Sequence, residues 1–324
     1  MLISICICTY NRSRILTHCL RSLSQLIDPR PKHDIEVIVI DNNSTDETSD
    51  LVREVILSFP FEMRYVFEGQ QGISASRNRA VDEARGDYLA FLDDECTVNS
   101  DWLSIAISDI EKYHPCVVGG PYIGAFLPGD RPRWFKIEYG NAYFIERHYE
   151  RGFQDEFRAS SGNMFVRRDV FETLRFDVNF GPIGGKLRLH EETELQERFL
   201  RAHPSEKIFY EPAIIVRHFI LPEKMRLSYR ARRVFATALS SPGKVDHKNF
   251  LIALSKTLVH VIVGPIRFIW CDRANYPFWQ NVVYERIIPR TCSYAGTVAK
   301  YLRERFSSPV CNSDASATPE RIER

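Results

Sequence analysis

The sequence predicts an α/β protein built on a mostly parallel sheet, and three observations carry that expectation. Short apolar, often β-branched runs alternate with segments of helical period up to about residue 120, as repeated βα units require. Several of these runs end on a polar cluster, as strands do when their carboxyl ends line one ligand-binding edge. One run, Tyr88-Leu89-Ala90-Phe91-Leu92, is continuous in hydrophobicity, the mark of a strand covered on both faces.

The elements follow in order. Leu2 to Cys8 reads as a strand, and Arg14 to Ile27 carries Ile15, Cys19, Leu23 and Leu26-Ile27 at helical spacing. Ile35 to Ile40 is a second strand, ending at Asp41. Ser44-Thr45-Asp46-Glu47 has the form of a capping box and predicts a helix from there to about Leu57. Glu62 to Phe67 reads as a strand, Ile73 to Arg85 as a helix, and Gly86-Asp87 leads into the Tyr88 to Leu92 run. Asn99-Ser100-Asp101 can cap a helix reaching Tyr113, before a short strand from Cys116 to Gly119. Residues 121–160, rich in Gly, Pro and aromatics, predict loops with short strands. Asn163 to Val166 reads as a strand, and Asp169 as the cap of a short helix. Glu191 to Ala202 predicts a helix with Leu195, Phe199 and Leu200 inward, and Ile208 to Tyr210 and Ala213 to His218 are two last strands. From Glu223 the chain becomes helical and basic-amphipathic, and beyond Phe306 it is too polar to hold a core. The expected division is a sheet-based unit over residues 1–220 (halves 1–119 and 120–220), a helical extension over 221–306 and a disordered tail over 307–324.

Composition narrows the function classes. A net charge of +1 offers no global attraction to nucleic acid, so any basic surface is local. The cysteines at 6, 8, 19, 96, 116, 271, 292 and 311 form no CxxC pair and read as small apolar fillers in a reducing compartment, not as zinc ligands. Met1 runs straight into the first strand without a basic leader, so no signal peptide is expected. Phe250 to Trp270, the longest apolar stretch, is broken by Lys256, His260, Gly264-Pro265 and Arg267, and no membrane span is expected.

Chemistry concentrates at the strand ends. Asp93-Asp94-Glu95 sets three carboxylates side by side, a charge density that calls for a divalent cation and a ligand that brings one. Thr9-Tyr10-Asn11-Arg12, Asp41-Asn42-Asn43-Ser44 and the segment Gly69 to Asn78 end or follow neighbouring strands, so all four groups converge on one cleft. There Asp41 can accept a base N–H or a ribose hydroxyl, and the fork of Arg77 suits a diphosphate. Alone, Asp41-Asn42-Asn43 is equally the pattern of a turn.

These motifs, Cys8-Thr9-Tyr10-Asn11-Arg12, Val39 to Asp46, Gly72-Ile73-Ser74-Ala75-Ser76-Arg77-Asn78 and Gly86 to Glu95, resemble in order and spacing the family 2 glycosyltransferases. The resemblance runs from Ile3 to about His218. It implies the GT-A fold, a Rossmann-like, mostly parallel mixed sheet flanked by helices. It also implies a nucleotide-sugar site formed by Thr9, Tyr10, Arg12, Asp41, Asn43, Arg77, Asp93, Asp94 and Asn163, the last in the small-residue turn Ser160-Ser161-Gly162-Asn163. The acidic triplet then corresponds to the family's DxD motif, with Mn²⁺ or Mg²⁺ held by Asp93, Asp94, Glu95 and His218. Glu in the third place leaves the main ligand open between Asp94 and Glu95. His190-Glu191-Glu192-Thr193-Glu194, after Gly184-Gly185, resembles the family's acidic pair and implies Glu192 as general base, with Glu191 as its competitor. Without the resemblance, that cluster is also what an acidic first helical turn looks like.

The implied activity is inverting, non-processive transfer of one sugar from a nucleotide-diphosphate donor, a UDP-sugar first. The acceptor is a hydroxyl of a glycan or lipid-linked oligosaccharide in surface polysaccharide synthesis. Gln196-Glu197-Arg198-Phe199 lacks the Gln-x-x-Arg-Trp spacing of processive synthases. A sugar nucleotidyltransferase would need a glycine-rich loop after the first strand, and Thr9 to Ile15 contains no glycine. The other rival is a glycan-binding protein with a dead site, against which both acidic clusters count. The implied location is cytoplasmic, at the inner face of the membrane if residues 223–270 make contact there. Lys224, Arg226, Arg230, Arg232 and Arg233 would either lie on an anionic membrane or pack on the catalytic unit. Trp134, between Arg133 and Lys136, reads as a loop anchor or a sugar-stacking ring.

Overall fold

The computed structural model describes residues 1–29, 32–141, 149–181, 190–240, 245–267, 276 and 278–306. Gly184-Gly185 and the tail over 307–324 lie outside the described residues. In chain order the strands are β1 (Leu2–Thr9), β2 (Asp34–Asp41), β3 (Glu62–Phe67), β4 (Tyr88–Asp93), β5 (Cys96–Val98), β6 (Val117–Gly119), β7 (Tyr122–Ala125), β8 (Gly152–Gln154), β9 (Met164–Arg167), β10 (Ile208–Tyr210) and β11 (Val216–Phe219). The helices of the sheet-based unit are α1 (Ser13–Leu23), α2 (Thr48–Ile56), α3 (Ile73–Glu83), α4 (Trp102–Tyr113), α5 (Ile137–Asn141), α6 (Val170–Thr173) and α7 (Glu191–Ala202).

The main sheet has the order β3-β2-β1-β4-β9-β6-β10-β8. Strands β3, β2, β1 and β4 are parallel, and β9 runs antiparallel between β4 and β6. Period-two alternation distributes the apolar residues to both faces. Ile3, Ile5 and Ile7 of β1 join Val37 and Val39 under α1 and α4, where Trp102 is fully buried. Cys6, Ile38, Ile40, Leu89 and Phe91 face the other way, against Ala80, Val81, Leu195 and Phe199. Burial on both sides explains why these strands read as continuous apolar runs.

Two local expectations change. No capping box forms at Ser44, and α2 starts at Thr48. Asp46 instead accepts from Thr48 N at 3.1 Å and, with its other oxygen, from Ser13 N at 3.0 Å, so one carboxylate caps α1 and α2 together. The final strand starts at Val216, later than Ala213, because Ile215 N turns back onto Ala213 O. It leaves the main sheet and pairs with β5 and β7, placing His218 opposite Cys96, next to Glu95. Strands β5, β7 and β8 have three or four residues each, too short to show a period in sequence.

The extension packs on this unit through aromatic rings. After a 3₁₀ turn (Pro222–Met225) come α8 (Leu227–Ser240), α9 (His247–Arg267), α10 (Trp279–Val282), a π turn (Val283–Ile287) and α11 (Ile288–Phe306). Tyr284 stacks on Tyr139 at 4.1 Å and meets Phe135, with Ile220 and Met225 completing the cluster. Trp134 packs against Tyr284 and its carbonyl accepts from Asn281, so it anchors its loop. Of the two readings of the basic segment, packing on the catalytic unit holds for Lys224 and Arg233, which line a cleft with residues of that unit, while Arg230 lies 4.8 Å over the Tyr284 ring within the extension. Among the described residues no helix is long and apolar enough to cross a membrane.

Candidate functional site

The loops after β1, β2 and β3 are stitched to one another before they meet any ligand. Asn11 takes φ 51° and donates N–H to Ser44 Oγ (2.8 Å), while its side chain accepts from Thr45 N (2.7 Å). Asn42 is buried. Its amide donates to Gln70 O (2.7 Å) and accepts from Gly72 N (2.8 Å), fixing the loop into α3. Gly72 sits at φ 136°, a conformation open to glycine alone. The result is a cleft of about 660 Å³ at the carboxyl edge of the parallel strands, the size of a small-molecule site.

Asp93-Asp94-Glu95 forms the cleft floor, each carboxylate in a different setting. Asp93, 30% exposed, accepts from Tyr122 OH at 2.7 Å and lies 3.6 Å from Arg77. Tyr122 reaches it only because residue 162 is glycine, since a Cβ there would stand 1.9 Å from the Tyr122 hydroxyl. Both oxygens of Asp94 are engaged, by Thr9 Oγ1 (2.8 Å) and Arg12 (2.9 Å). Burial and the neighbouring Glu95 charge raise its pKa against the pull of Arg12. Glu95 is also buried, which works against its charge. Lys224, His218 and Arg12 outweigh that and hold its carboxyl well below the usual range. His218 Nε2 is 2.9 Å from Glu95 Oε1, Lys224 Nζ donates to the same oxygen, and Glu95 Oε2 is buried without a hydrogen bond.

The other wall comes from the start of α7. His190, at φ 79°, turns the chain into the helix so that three acids occupy its first turn, where the helix dipole favours them. Glu191 is buried and bonded to Arg77 at 2.7 Å. Arg77 is 4% exposed and uses its second nitrogen on Ser161 (2.7 Å). Glu192 lines the cleft, and among the described residues no arginine or lysine pairs with it. Burial and the Glu191 charge push its pKa up to about 7, with Arg77 opposing.

Of the residues singled out from sequence, Thr9, Tyr10, Arg12, Arg77, Asp93, Asp94, Glu95, Glu191, Glu192 and His218 all line this one cleft. Three do not. Asp41 is buried, accepting from Ser44 N (2.9 Å) and Tyr65 OH (2.7 Å). Asn43 is an exposed turn residue at φ 63°, as the turn reading has it. Asn163 is fully buried and holds Trp102 Nε1, Pro121 O and Ile214 O. Arg77 lines the cleft, but its fork clamps Glu191 and Ser161, so it is no open diphosphate cradle. The small-residue turn does reach the cleft through Ser160 and Ser161, whereas sequence reasoning passed over Tyr122, Tyr229 and the cleft-facing roles of Lys224 and Arg233. Only the closeness of Lys224 to His218 in sequence could have signalled any of them.

Whether these residues suit a divalent ion turns on Glu95 and His218. Burial lowers the His218 pKa, favouring the neutral imidazole that a metal needs. The 2.9 Å between its Nε2 and Glu95 Oε1, with Glu95 Oε2 lacking a hydrogen bond and 3.5 Å from Arg12, suits two donors on one ion. No cluster of three His, Cys, Asp or Glu donors forms among the described residues, so most coordination would fall to a bound diphosphate and water. The set fits, with Lys224 as a cation to be displaced. Mn²⁺ titrated into the protein and followed by electron paramagnetic resonance is expected to bind at least about tenfold more weakly to Glu95→Gln. Equal affinity would remove Glu95 from the ligand set.

Comparison with known proteins adds identity to this geometry. Residues 4–175 match the family described as glycosyl transferase family 2. The succinoglycan biosynthesis protein ExoM of Rhizobium meliloti is 33% identical over 187 residues, 57% of this chain and 58% of that one. Glycosyltransferase AglE of Haloferax volcanii is 29% identical over 172 residues, 53% and 54% of the two chains. The chain thus spans little more than half the length of these relatives. In solved structures, the mannosyltransferase PcManGT of Pyrobaculum calidifontis, in complex with GDP-Man and Mn²⁺, superposes with a TM-score of 0.58 at 17% identity. The match covers 94% of this chain and 87% of that one. The fold is of the GT-A type.

Proposed function

Because the chain belongs to glycosyl transferase family 2, we propose that it transfers a single sugar, with inversion, from a nucleotide-diphosphate sugar to a hydroxyl of a glycan or lipid-linked acceptor. A UDP-sugar is the donor of first choice, and the product belongs to surface polysaccharide synthesis, a reading supported by likeness to the succinoglycan biosynthesis protein ExoM. The observation that carries this reading is the division of labour between two adjacent acids. Glu191 is neutralised by Arg77, while Glu192 faces the cleft with a pKa near 7.

Tyr10, 47% exposed at the cleft mouth, offers a face on which the donor base stacks. Asp93, oriented by Tyr122, accepts from donor hydroxyls. Glu95 and His218 would hold a divalent ion, Mn²⁺ or Mg²⁺. When bound, that ion supplies charge neutralisation for the leaving diphosphate. Arg12 and Lys224 place further positive charge on the same side of the cleft. Glu192 takes the proton from the acceptor hydroxyl as the anomeric carbon gains oxocarbenium character, so attack comes from the face opposite the diphosphate.

Thermal melting with UDP-, GDP- and dTDP-sugars, with and without Mn²⁺, tests the reading, together with release of the nucleotide diphosphate. One donor is expected to stabilise the protein in an Mn²⁺-dependent way and to be turned over. A panel that neither shifts the melt nor releases nucleotide would overturn it. The pH profile gives a second test. A base must be deprotonated to act, and the Glu192 pKa is raised to about 7. The rate is therefore expected to be level above that pH and to fall about tenfold per pH unit below it. An acid limb at the ordinary carboxylate pKa would point to an unperturbed group.

A further inference from the structure

We propose that α9 is a docking helix that lies flat on an anionic phospholipid bilayer, an interaction independent of the sugar-transfer reading above. The helix is 21 residues, about 31 Å long, and over its first thirteen residues its burial is inverted. Ala253 is buried against the rest of the protein, and Thr257 and Phe250 are half-buried beside it. Leu251, Ile252, Leu254, Leu258 and Val259 all point out, at 36–57% exposure. At 3.6 residues per turn, Leu251, Leu254 and Leu258 form one stripe, with Ile252 and Val259 along its edge.

Among the described residues, α9 is partnered on its inner side by α11. It runs antiparallel to α11, since His247 and Phe250 meet Tyr301 while Lys256 lies over Tyr294. At the far end of this hairpin Phe278 and Trp279 are exposed by 39% and 55%. They add aromatic rings of the kind that sit at membrane interfaces.

Charge decides between a bilayer and a second copy of the chain. Helix α9 contains no acidic residue, Lys248 projects from its exposed face, and Lys256 lies at the border with α11, over Tyr294. Residues 223–306 carry 15 Lys and Arg against 5 Asp and Glu, a net +10, where the whole chain has +1. Two copies paired through this face would bring two such extensions together, an arrangement that like charge opposes. An anionic lipid surface attracts the same charge while the leucines enter the acyl boundary. No described helix can cross a membrane, so the geometry is that of a helix lying in the interface.

The test is co-sedimentation of the full chain with phosphatidylglycerol-containing vesicles and with pure phosphatidylcholine vesicles, alongside light scattering without lipid. Binding is expected to be at least about tenfold tighter to the anionic vesicles, and to drop by about as much in the double variant Leu251→Ser, Leu258→Ser. Those side chains are exposed, so the variant is expected to melt as the parent does. A Lys248→Glu, Lys256→Glu variant keeps the stripe, and it should lose the preference for anionic lipid. Undiminished vesicle binding by the leucine variant would overturn the proposal. So would a dimer in solution that this variant dissociates.

Discussion

Glu192→Gln is expected to abolish most sugar transfer while the protein still binds its donor. General-base catalysis contributes roughly a hundredfold to ten-thousandfold, and Gln keeps the shape of the side chain while removing the proton acceptor. The loss should appear in kcat, with donor affinity unchanged in a melting or calorimetric titration, because Glu192 belongs to α7 and is not among the groups bonded to Glu95 or His218. Glu191→Gln makes the contrast sharp. Glu191 is held by Arg77 at 2.7 Å, so its replacement is expected to lower stability and to shift the pH profile. With the Glu191 charge gone, the Glu192 pKa should fall from about 7 and the acid limb of the rate should move down with it. A Glu192→Gln enzyme that turns over at the parental rate would sink the base assignment, and an unmoved acid limb in Glu191→Gln would sink the coupling between the two acids.

Much of this was legible in the sequence because strand ends in a parallel sheet leave local marks. The runs at Leu2, Ile35 and Tyr88, and the polar clusters after them, located one cleft that the structure does form. What was not legible depends on contacts across long separations. Arg77 and Glu191 are 114 residues apart, and no spacing rule reveals that one neutralises the other. Asp41 reads equally as a base ligand or a turn residue until Tyr65, on the neighbouring strand, is seen to donate to it. Asn163 looks like a site residue because it sits beside Ser160-Ser161-Gly162. Those serines reach the cleft, while the Asn163 side chain is buried and braces Trp102. The acidic triplet shows the same limit. Three identical-looking charges separate into a solvent-facing Asp93, an Arg12-bound Asp94 and a buried Glu95 only when β11 brings His218, and the turn after it brings Lys224.

Arg77→Met is expected to be the most destabilising single change at the site. The guanidinium is 4% exposed and bonds Glu191 and Ser161 while approaching Asp93 at 3.6 Å. Removing it leaves Glu191 as a buried carboxylate without its counter-charge, and breaking one side of a buried pair costs about 3–5 kcal/mol. Methionine fills much of the space and keeps the contact with Phe176, which Arg77 covers at 5.6 Å, so the loss isolates charge and hydrogen bonding from packing. Arg77→Lys should recover only part of it, because an ammonium cannot span Glu191 and Ser161 as the planar fork does. The change should also reach the chemistry. Arg77 opposes the rise in the Glu192 pKa, so without it that pKa climbs above about 7 and the acid limb moves to higher pH. Urea unfolding of the parent, Met and Lys forms measures the first effect, and the pH profile of any residual transfer measures the second. Loss of less than about 1 kcal/mol in Arg77→Met, the size of an exposed ion pair, would show that Glu191 does not depend on this partner.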